Sequence, residues 1–233
     1  MLFEYPSKDD WNELISSIPY EKLAVSIGDF KKKGDSLNDF VGNLQIETWL
    51  EHLGHRLFDV QKSYVMLMYY YEKGIPDDEW FISPGKRGES IEYFPHFEKR
   101  HHLIKRQFDY YVDVFYYKIF SAWDNIGHVL NLAYDLGIKR VSFKCVVPKL
   151  KTSNAGLHGR LHSILEDDNF TKASDLRNTV THNYLPSQVG SAVTRRGDTV
   201  FFGAGDYIPS KVIKDNAAET VNLLVKTLDY IKG

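Results

Sequence analysis

The chain has 233 residues, of which 43% are hydrophobic and 26% are charged, and its formal net charge is -2. This length suits one substantial core, and the composition is that of a folded globular protein rather than a disordered chain. The small net charge gives no overall electrostatic signature of nucleic-acid binding, so any such binding has to come from a local patch. The single cysteine, Cys145, excludes an intramolecular disulfide framework and a cysteine-rich zinc site, and it favours a cytoplasmic protein. No run of about 18 apolar residues predicts a membrane span.

The first half of the chain is dominated by helical patterns. Ser7 and Asp10 have the spacing of a capping box, which predicts a short helix that Pro19 interrupts. Residues 31–36 read as a solvated turn, and the periodicity of apolar residues predicts a long helix over residues 37–71. The prolines and glycines of residues 74–95 predict a long irregular connection.

The clearest predicted helix covers residues 97–136. Its apolar residues alternate steps of three and four, so they lie on one face: Phe108, Val112, Phe115, Ile119, Ala122, Ile126, Val129 and Ala133. A polar stripe follows the opposite face: Asp113, Tyr117, Asp124, His128 and Asn131. This stripe faces either solvent or a second, more polar interface.

Shorter elements are predicted in the second half. Residues 141–147 have strand-like composition but are ambiguous at this length. Helices are predicted over 156–167 and 169–182, a small β-hairpin over 193–202, and a final helix capped by Ser210. The fold class is therefore all-α, with a hairpin and an irregular Pro/Gly-rich insertion. We expect residues 1–35 to form a helical extension and residues 36–233 the main helical domain, as one globular unit.

The segment from Arg177 to Tyr184 carries the main chemical signal. It holds a permanent cation, a histidine that titrates near neutrality and a phenol, in the pattern R-x-x-x-x-H-x-Y. Chance predicts roughly 0.02 such patterns in a chain of this composition. These side chains suit a phosphodiester substrate without a metal. The alternative is that basic residues at the end of a helix only interact favourably with its dipole.

Helix geometry limits how Arg177 and His182 can cooperate. Five residues at 100° each place them about 140° apart, with about 7.5 Å of rise, so they do not share a face of a straight helix. They converge only if the helix ends near His182 or if a second chain contributes. Pro186 favours a helix end at this point because the residue before a proline avoids the α conformation.

The motif resembles the active-site motif of the HEPN superfamily, the higher eukaryote and prokaryote nucleotide-binding domains. Arg177, Asn178 and His182 match the family pattern of arginine, a polar residue and then histidine at the end of a helix. The added Tyr184 is similar to that of HepT-type toxins, in which this tyrosine is adenylylated by a minimal nucleotidyltransferase antitoxin. The resemblance implies an up-and-down helical bundle.

The resemblance also implies a function. It predicts a homodimer whose motif helices meet and cut RNA without metal or cofactor, with Arg177 and His182 as catalytic residues. Asn178 and Tyr184 are expected to bind or orient substrate, and Asp124 is the candidate acidic residue from an earlier core helix. The alternative for Asp124 is a solvated side chain. RNA is the expected partner.

Two other functions remain open from the sequence. The same groove can serve a non-catalytic module that binds RNA or a nucleotide. The chain can also be a toxin–antitoxin component that a nucleotidyltransferase antitoxin regulates at Tyr184.

Other candidate sites are weaker. The basic run from Lys99 to Arg106 can attract phosphate or form the solvated start of a helix. His158, His162 and Glu166 have helical spacing for a metal site, but the segment lacks the glutamate of a metalloprotease motif, so no metal is predicted. The pair His52 and His55 is a still weaker candidate.

Overall fold

The computed structural model describes residues 4–23, 30, 32, 34, 36–182, 191–204 and 207–232, with the backbone alone for residues 20, 180–182, 191–196 and 200–204. The helices are α1 Lys8–Ser16, α2 Leu37–Glu72, α3 Lys99–Ala133, α4 Phe143–Val146, α5 Leu150–Ser153, α6 Ala155–Leu165, α7 Asp168–His182 and α8 Ser210–Lys232. The strands are β1 Phe81–Ile82, β2 Glu92–Tyr93, β3 Ser191–Arg196 and β4 Thr199–Ala204. The predicted all-α fold class is confirmed.

Two long helices, α2 and α3, form the centre of the bundle. Their aromatic contacts run in opposite chain directions, with Tyr71 against Phe108 and Tyr64 against Phe115. The two helices are therefore antiparallel, as an up-and-down bundle requires. The apolar periodicity predicted both helices, and their observed ends differ from the predicted ones by at most three residues.

The C-terminal helices complete the core around Trp123. Its indole ring is fully buried and meets the Phe170 ring of α7 edge to face, with ring centroids 4.8 Å apart. Its Nε1–H donates a hydrogen bond of 3.1 Å to Thr227 Oγ1 on α8. A buried indole is best accommodated when its N–H has a partner. Trp123 thus joins α3, α7 and α8.

The structure corrects the strand-like interpretation of residues 141–147. This segment forms α4 followed by a 3₁₀ turn, and Ser142 Oγ accepts a 3.3 Å hydrogen bond from the Cys145 backbone N–H. The segment lies directly against α3, where a Cβ on Gly127 would come within 3.1 Å of the Phe143 backbone nitrogen. Phe143 and Val146, one turn apart, are both buried. Tertiary packing therefore outweighs the β propensity of the segment.

The start of α8 also differs from the prediction. Ser210 is the first residue of the helix rather than its N-cap, and its hydroxyl donates to Asp77 Oδ2 at 2.7 Å. The same carboxylate oxygen accepts the Ser210 backbone N–H at 3.0 Å and the Tyr207 hydroxyl at 2.6 Å. A buried carboxylate from the irregular insertion thus binds the N-terminus of α8, where negative charge is favourable.

The remaining elements lie at the periphery. The predicted capping box of α1 is confirmed, since Ser7 Oγ accepts the Asp10 backbone N–H at 3.1 Å. The predicted hairpin is observed as β3 and β4, with Gly197 at a φ of 61° in the turn. The division of the chain at residue 35 stays a prediction. None of the described helices is both long and apolar enough to cross a membrane.

Candidate functional site

The C-terminal half of α7 carries the first two motif residues. Arg177 Nη1–H donates a 3.2 Å hydrogen bond to the side-chain oxygen of Asn178. The Arg177 guanidinium carbon also lies 6.0 Å from the centroid of the Phe120 ring on α3. A guanidinium near an aromatic ring gains cation–π attraction and loses rotamer freedom. Arg177 therefore contacts both its neighbour Asn178 and the Phe120 ring of α3.

Asp124 of α3 lies close to this arginine. It is half-buried rather than solvated, and its Oδ1 accepts a 3.0 Å hydrogen bond from the Phe143 backbone N–H. Burial raises the pKa of Asp124 above its usual value, while that hydrogen bond and the nearby charge of Arg177 act in the opposite direction. The carboxylate is thus bonded to the start of α4 and lies within the electrostatic influence of the motif helix.

Two further basic side chains surround Asp124, and the motif did not identify them. Lys144 of α4 donates a 2.8 Å hydrogen bond to Ser174 Oγ on α7, and its charge favours the ionised form of Asp124. His128 lies one helical turn beyond Asp124 on α3 and acts in the same direction when protonated. The only sequence signal for His128 was its place on the polar stripe of α3.

His128 is packed against a tryptophan. The rings of His128 and Trp49 of α2 are stacked with centroids 3.7 Å apart and an interplanar angle of 5°. Burial lowers the pKa of His128, and the nearby Asp124 carboxylate only partly opposes this effect. A neutral imidazole can donate a proton from one ring nitrogen and accept one at the other. His128 therefore brings a neutral proton donor and acceptor close to the Asp124 carboxylate.

The structure gives only part of the motif geometry. Helix α7 is described through His182, and the helix end expected near this residue stays a prediction. The side chain of His182, and all of Asn183 and Tyr184, lie outside the described residues. Because the backbone is helical from Arg177 to His182, these two positions point about 140° apart on one α7.

Some of the other candidates have structural roles. In the basic run, His101 and Lys105 are buried: His101 Nδ1 accepts the Glu98 backbone N–H at 2.9 Å, and Lys105 pairs with Asp109 at 2.5 Å. His162 Nδ1 lies 3.6 Å from Glu166 Oε1, an ion pair only when the imidazole is protonated. Within the described ranges, no three His, Cys, Asp or Glu side chains are grouped as metal ligands.

The family comparison adds to this geometry. The model of the Cthe2314-like HEPN family matches residues 49–232, which is well over half of the chain and includes α3 to α8 together with most of α2. The chain belongs to the Cthe2314-like HEPN family.

Membership in the HEPN family indicates a role related to nucleotides or RNA. Positions 124, 177, 178 and 182 lie within the matched range. No curated protein and no solved structure is significantly similar to the chain.

Proposed function

We propose that this HEPN protein is a metal-independent endoribonuclease with Arg177 and His182 as its catalytic residues. The observation that carries the proposal is the environment of Arg177. Its guanidinium is oriented by Asn178 and Phe120 and lies near the Asp124 carboxylate. A fixed guanidinium can bind a phosphate through two parallel hydrogen bonds, and it does not reorganise as charge develops on the phosphate.

The reaction is transesterification at phosphorus. His182 removes the proton from the ribose 2′-hydroxyl, the 2′-oxygen forms a bond to phosphorus, and the bond from phosphorus to the 5′-oxygen breaks. A second, protonated imidazole supplies the proton that the leaving 5′-oxygen needs. The products are a 2′,3′-cyclic phosphate and a 5′-hydroxyl. Histidine suits both proton transfers because its ordinary pKa is near neutrality.

The angle between Arg177 and His182 supports an active dimer. On one α7 the two residues point about 140° apart, so Arg177 of one copy and His182 of another can face a common cleft more easily than the pair from one copy. A two-fold axis beside α7 supplies two imidazoles, which is the number that the reaction requires.

Asp124 and Asn178 are positioning residues in this proposal. Asp124 balances the charge of Arg177 without a direct bond to substrate, and Asn178 holds one guanidinium nitrogen. Tyr184 is the proposed substrate-binding and regulatory residue. It is the position at which a nucleotidyltransferase partner would act.

The test uses a fluorescent single-stranded RNA and a DNA of the same sequence, incubated with the purified protein in EDTA. We expect cleavage of RNA alone, loss of at least about 100-fold in rate in His182→Ala and Arg177→Ala, and little change in His158→Ala and Arg160→Ala on α6. Arg177→Lys keeps the charge but loses the planar fork, so we expect it to lose most of the activity.

The outcome that overturns the proposal is equal cleavage by the wild type and both motif variants. RNA that stays intact with folded wild-type protein also overturns catalysis, and it leaves binding of RNA or a nucleotide as the function of the motif.

A further inference from the structure

A run of tyrosines follows the outer groove between α2 and α3. Tyr69 and Tyr70 are in edge contact, Tyr70 stacks on Tyr111, and Tyr111 meets Tyr110 edge to face with centroids 5.1 Å apart. We define the tyrosine face as Tyr5, Tyr69, Tyr70, Tyr110, Tyr111 and Tyr117.

The outer members of this face expose most of their surface. The exposed fraction is 71% for Tyr5, 59% for Tyr110 and 57% for Tyr117. The inner members have structural partners, as Tyr70 donates to the Glu4 backbone carbonyl at 2.7 Å. Core packing therefore explains the inner tyrosines but not the outer ones. Several large aromatic side chains that are exposed on one side of a protein are typical of a binding surface.

Basic side chains accompany the tyrosines. A cleft of about 300 Å³ is lined by Tyr110 and Tyr111 and also by Lys62 and Lys118. Asp59 in the same cleft pairs with Lys118 at 2.7 Å and with Arg56 at 3.4 Å. Two cations thus share one carboxylate, and the exposed Lys62 adds a further positive charge. The cleft has the charge that attracts an anionic backbone.

The tyrosine face also leads to the candidate site. Tyr110, Tyr117 and Asp124 are spaced by seven residues on α3, so they lie on one side of the helix at intervals of about 10 Å. His128 follows one turn later and Arg177 lies beside Asp124. A strand lying on Tyr110 and Tyr117 is therefore directed towards the motif helix.

The geometry points to the tyrosine face as a binding site for single-stranded RNA. Bases stack on Tyr110 and Tyr117, Lys62 and Lys118 bind backbone phosphates, and the strand continues to Arg177. Stacking on tyrosine accepts any base, so binding depends on an unpaired strand rather than on its sequence. The inference rests on the proposed function for the identity of the ligand as RNA and for the direction of the strand.

The test measures fluorescence anisotropy with a labelled oligouridylate of about 12 nucleotides. All proteins carry His182→Ala, so binding is measured without cleavage. We expect Tyr110→Ala and Tyr117→Ala each to raise Kd about 5- to 10-fold, and Tyr110→Phe and Tyr117→Phe to bind like the parent because the ring is kept. Lys62→Gln should weaken binding and lower the slope of log Kd against log salt by about one.

Tyr93→Ala is the matched control, since Tyr93 is an exposed tyrosine on β2 outside the tyrosine face. The inference is overturned if Tyr110→Ala and Tyr117→Ala leave Kd unchanged. It is also overturned if they raise Kd no more than Tyr93→Ala does. Sedimentation of the same variants gives a second check. Loss of self-association in Tyr110→Ala and Tyr117→Ala would assign the face to a second copy of the chain and overturn RNA binding there.

The two proposals fail separately. An active wild type whose tyrosine variants bind normally removes the tyrosine face and leaves the nuclease proposal intact. If RNA binding depends on the tyrosines but the wild type never cleaves RNA, the tyrosine face stands and the nuclease proposal falls.

Discussion

Two regions of the molecule each hold a carboxylate that is shielded from water, and their surroundings differ. Asp77 is fully buried, and one of its oxygens accepts three hydrogen bonds from Tyr207 and Ser210. Asp124 is half-buried and accepts one backbone hydrogen bond within the described residues, while cationic side chains lie near it. The first arrangement is a closed network that holds the fold together. The second leaves a carboxylate near the charge of Arg177, as the proposed site requires.

Removal of Asp77 should have the largest effect on stability. Asp77→Ala leaves the donors of Tyr207 and Ser210 buried without their acceptor, so we expect the free energy of unfolding to fall by about 3–5 kcal/mol. The measurement is urea denaturation followed by circular dichroism. Asp78→Ala is the matched control, because Asp78 is the exposed neighbour and should change stability by less than about 0.5 kcal/mol. Equal effects of the two variants would contradict a structural role for Asp77.

Substitution of Asp124 should separate activity from stability. Asn at this position keeps an oxygen that can accept the Phe143 N–H but removes the charge facing Arg177, so we expect Asp124→Asn to fold normally and to cleave RNA about 10- to 100-fold more slowly. Asp124→Ala should lose activity and also about 1 kcal/mol of stability. Normal cleavage by Asp124→Asn would show that its charge is not used.

Asp113 of α3 is a third shielded carboxylate, and its surroundings resemble neither of these. Burial, with a smaller effect from Asp109, raises its pKa to about 6, and its buried Oδ1 has no hydrogen-bond partner within the described residues. Because the pKa in the folded state is above the value in the unfolded chain, this group favours folding below about pH 4, and that contribution is lost as the pH rises through about 6.

Asp113→Asn should therefore stabilise the protein at pH 7.5. We expect a gain of about 1 kcal/mol, since partial exposure to solvent reduces the full effect, and no gain below about pH 4. Urea denaturation at several pH values measures both. A gain that does not change with pH would mean that the substitution acts through packing rather than through ionisation.

The sequence predicted the helices whose apolar residues recur at regular spacing. The spacing of three and four between apolar residues predicted α2 and α3, because a helix places such residues on one face whatever lies opposite. It could not predict that residues 143–146 are helical or that Asp77 binds the start of α8, because both depend on contacts between distant parts of the chain.

The same limit applies to the candidate site. Arg177 and Asn178 are neighbours in sequence, and their contact is local. The family resemblance indicates Asp124 as a candidate, with a solvated side chain as the alternative. Only the position of α4 in the fold decides that its carboxylate is half-buried and bonded to Phe143. Trp49 and Lys144 belong to no local sequence motif. They lie near the candidate site only because α2, α4 and α7 pack around α3.

The close approach at Gly127 links a backbone contact to the surroundings of Asp124. Because a methyl group at this position would meet the Phe143 nitrogen at 3.1 Å, α4 would have to move away from α3 by a few tenths of an ångström. That displacement would lengthen the bond from Phe143 to Asp124 and shift Lys144 against α7. A single added carbon at position 127 would thus change the electrostatic surroundings of Arg177 and leave every charged residue in the chain unchanged.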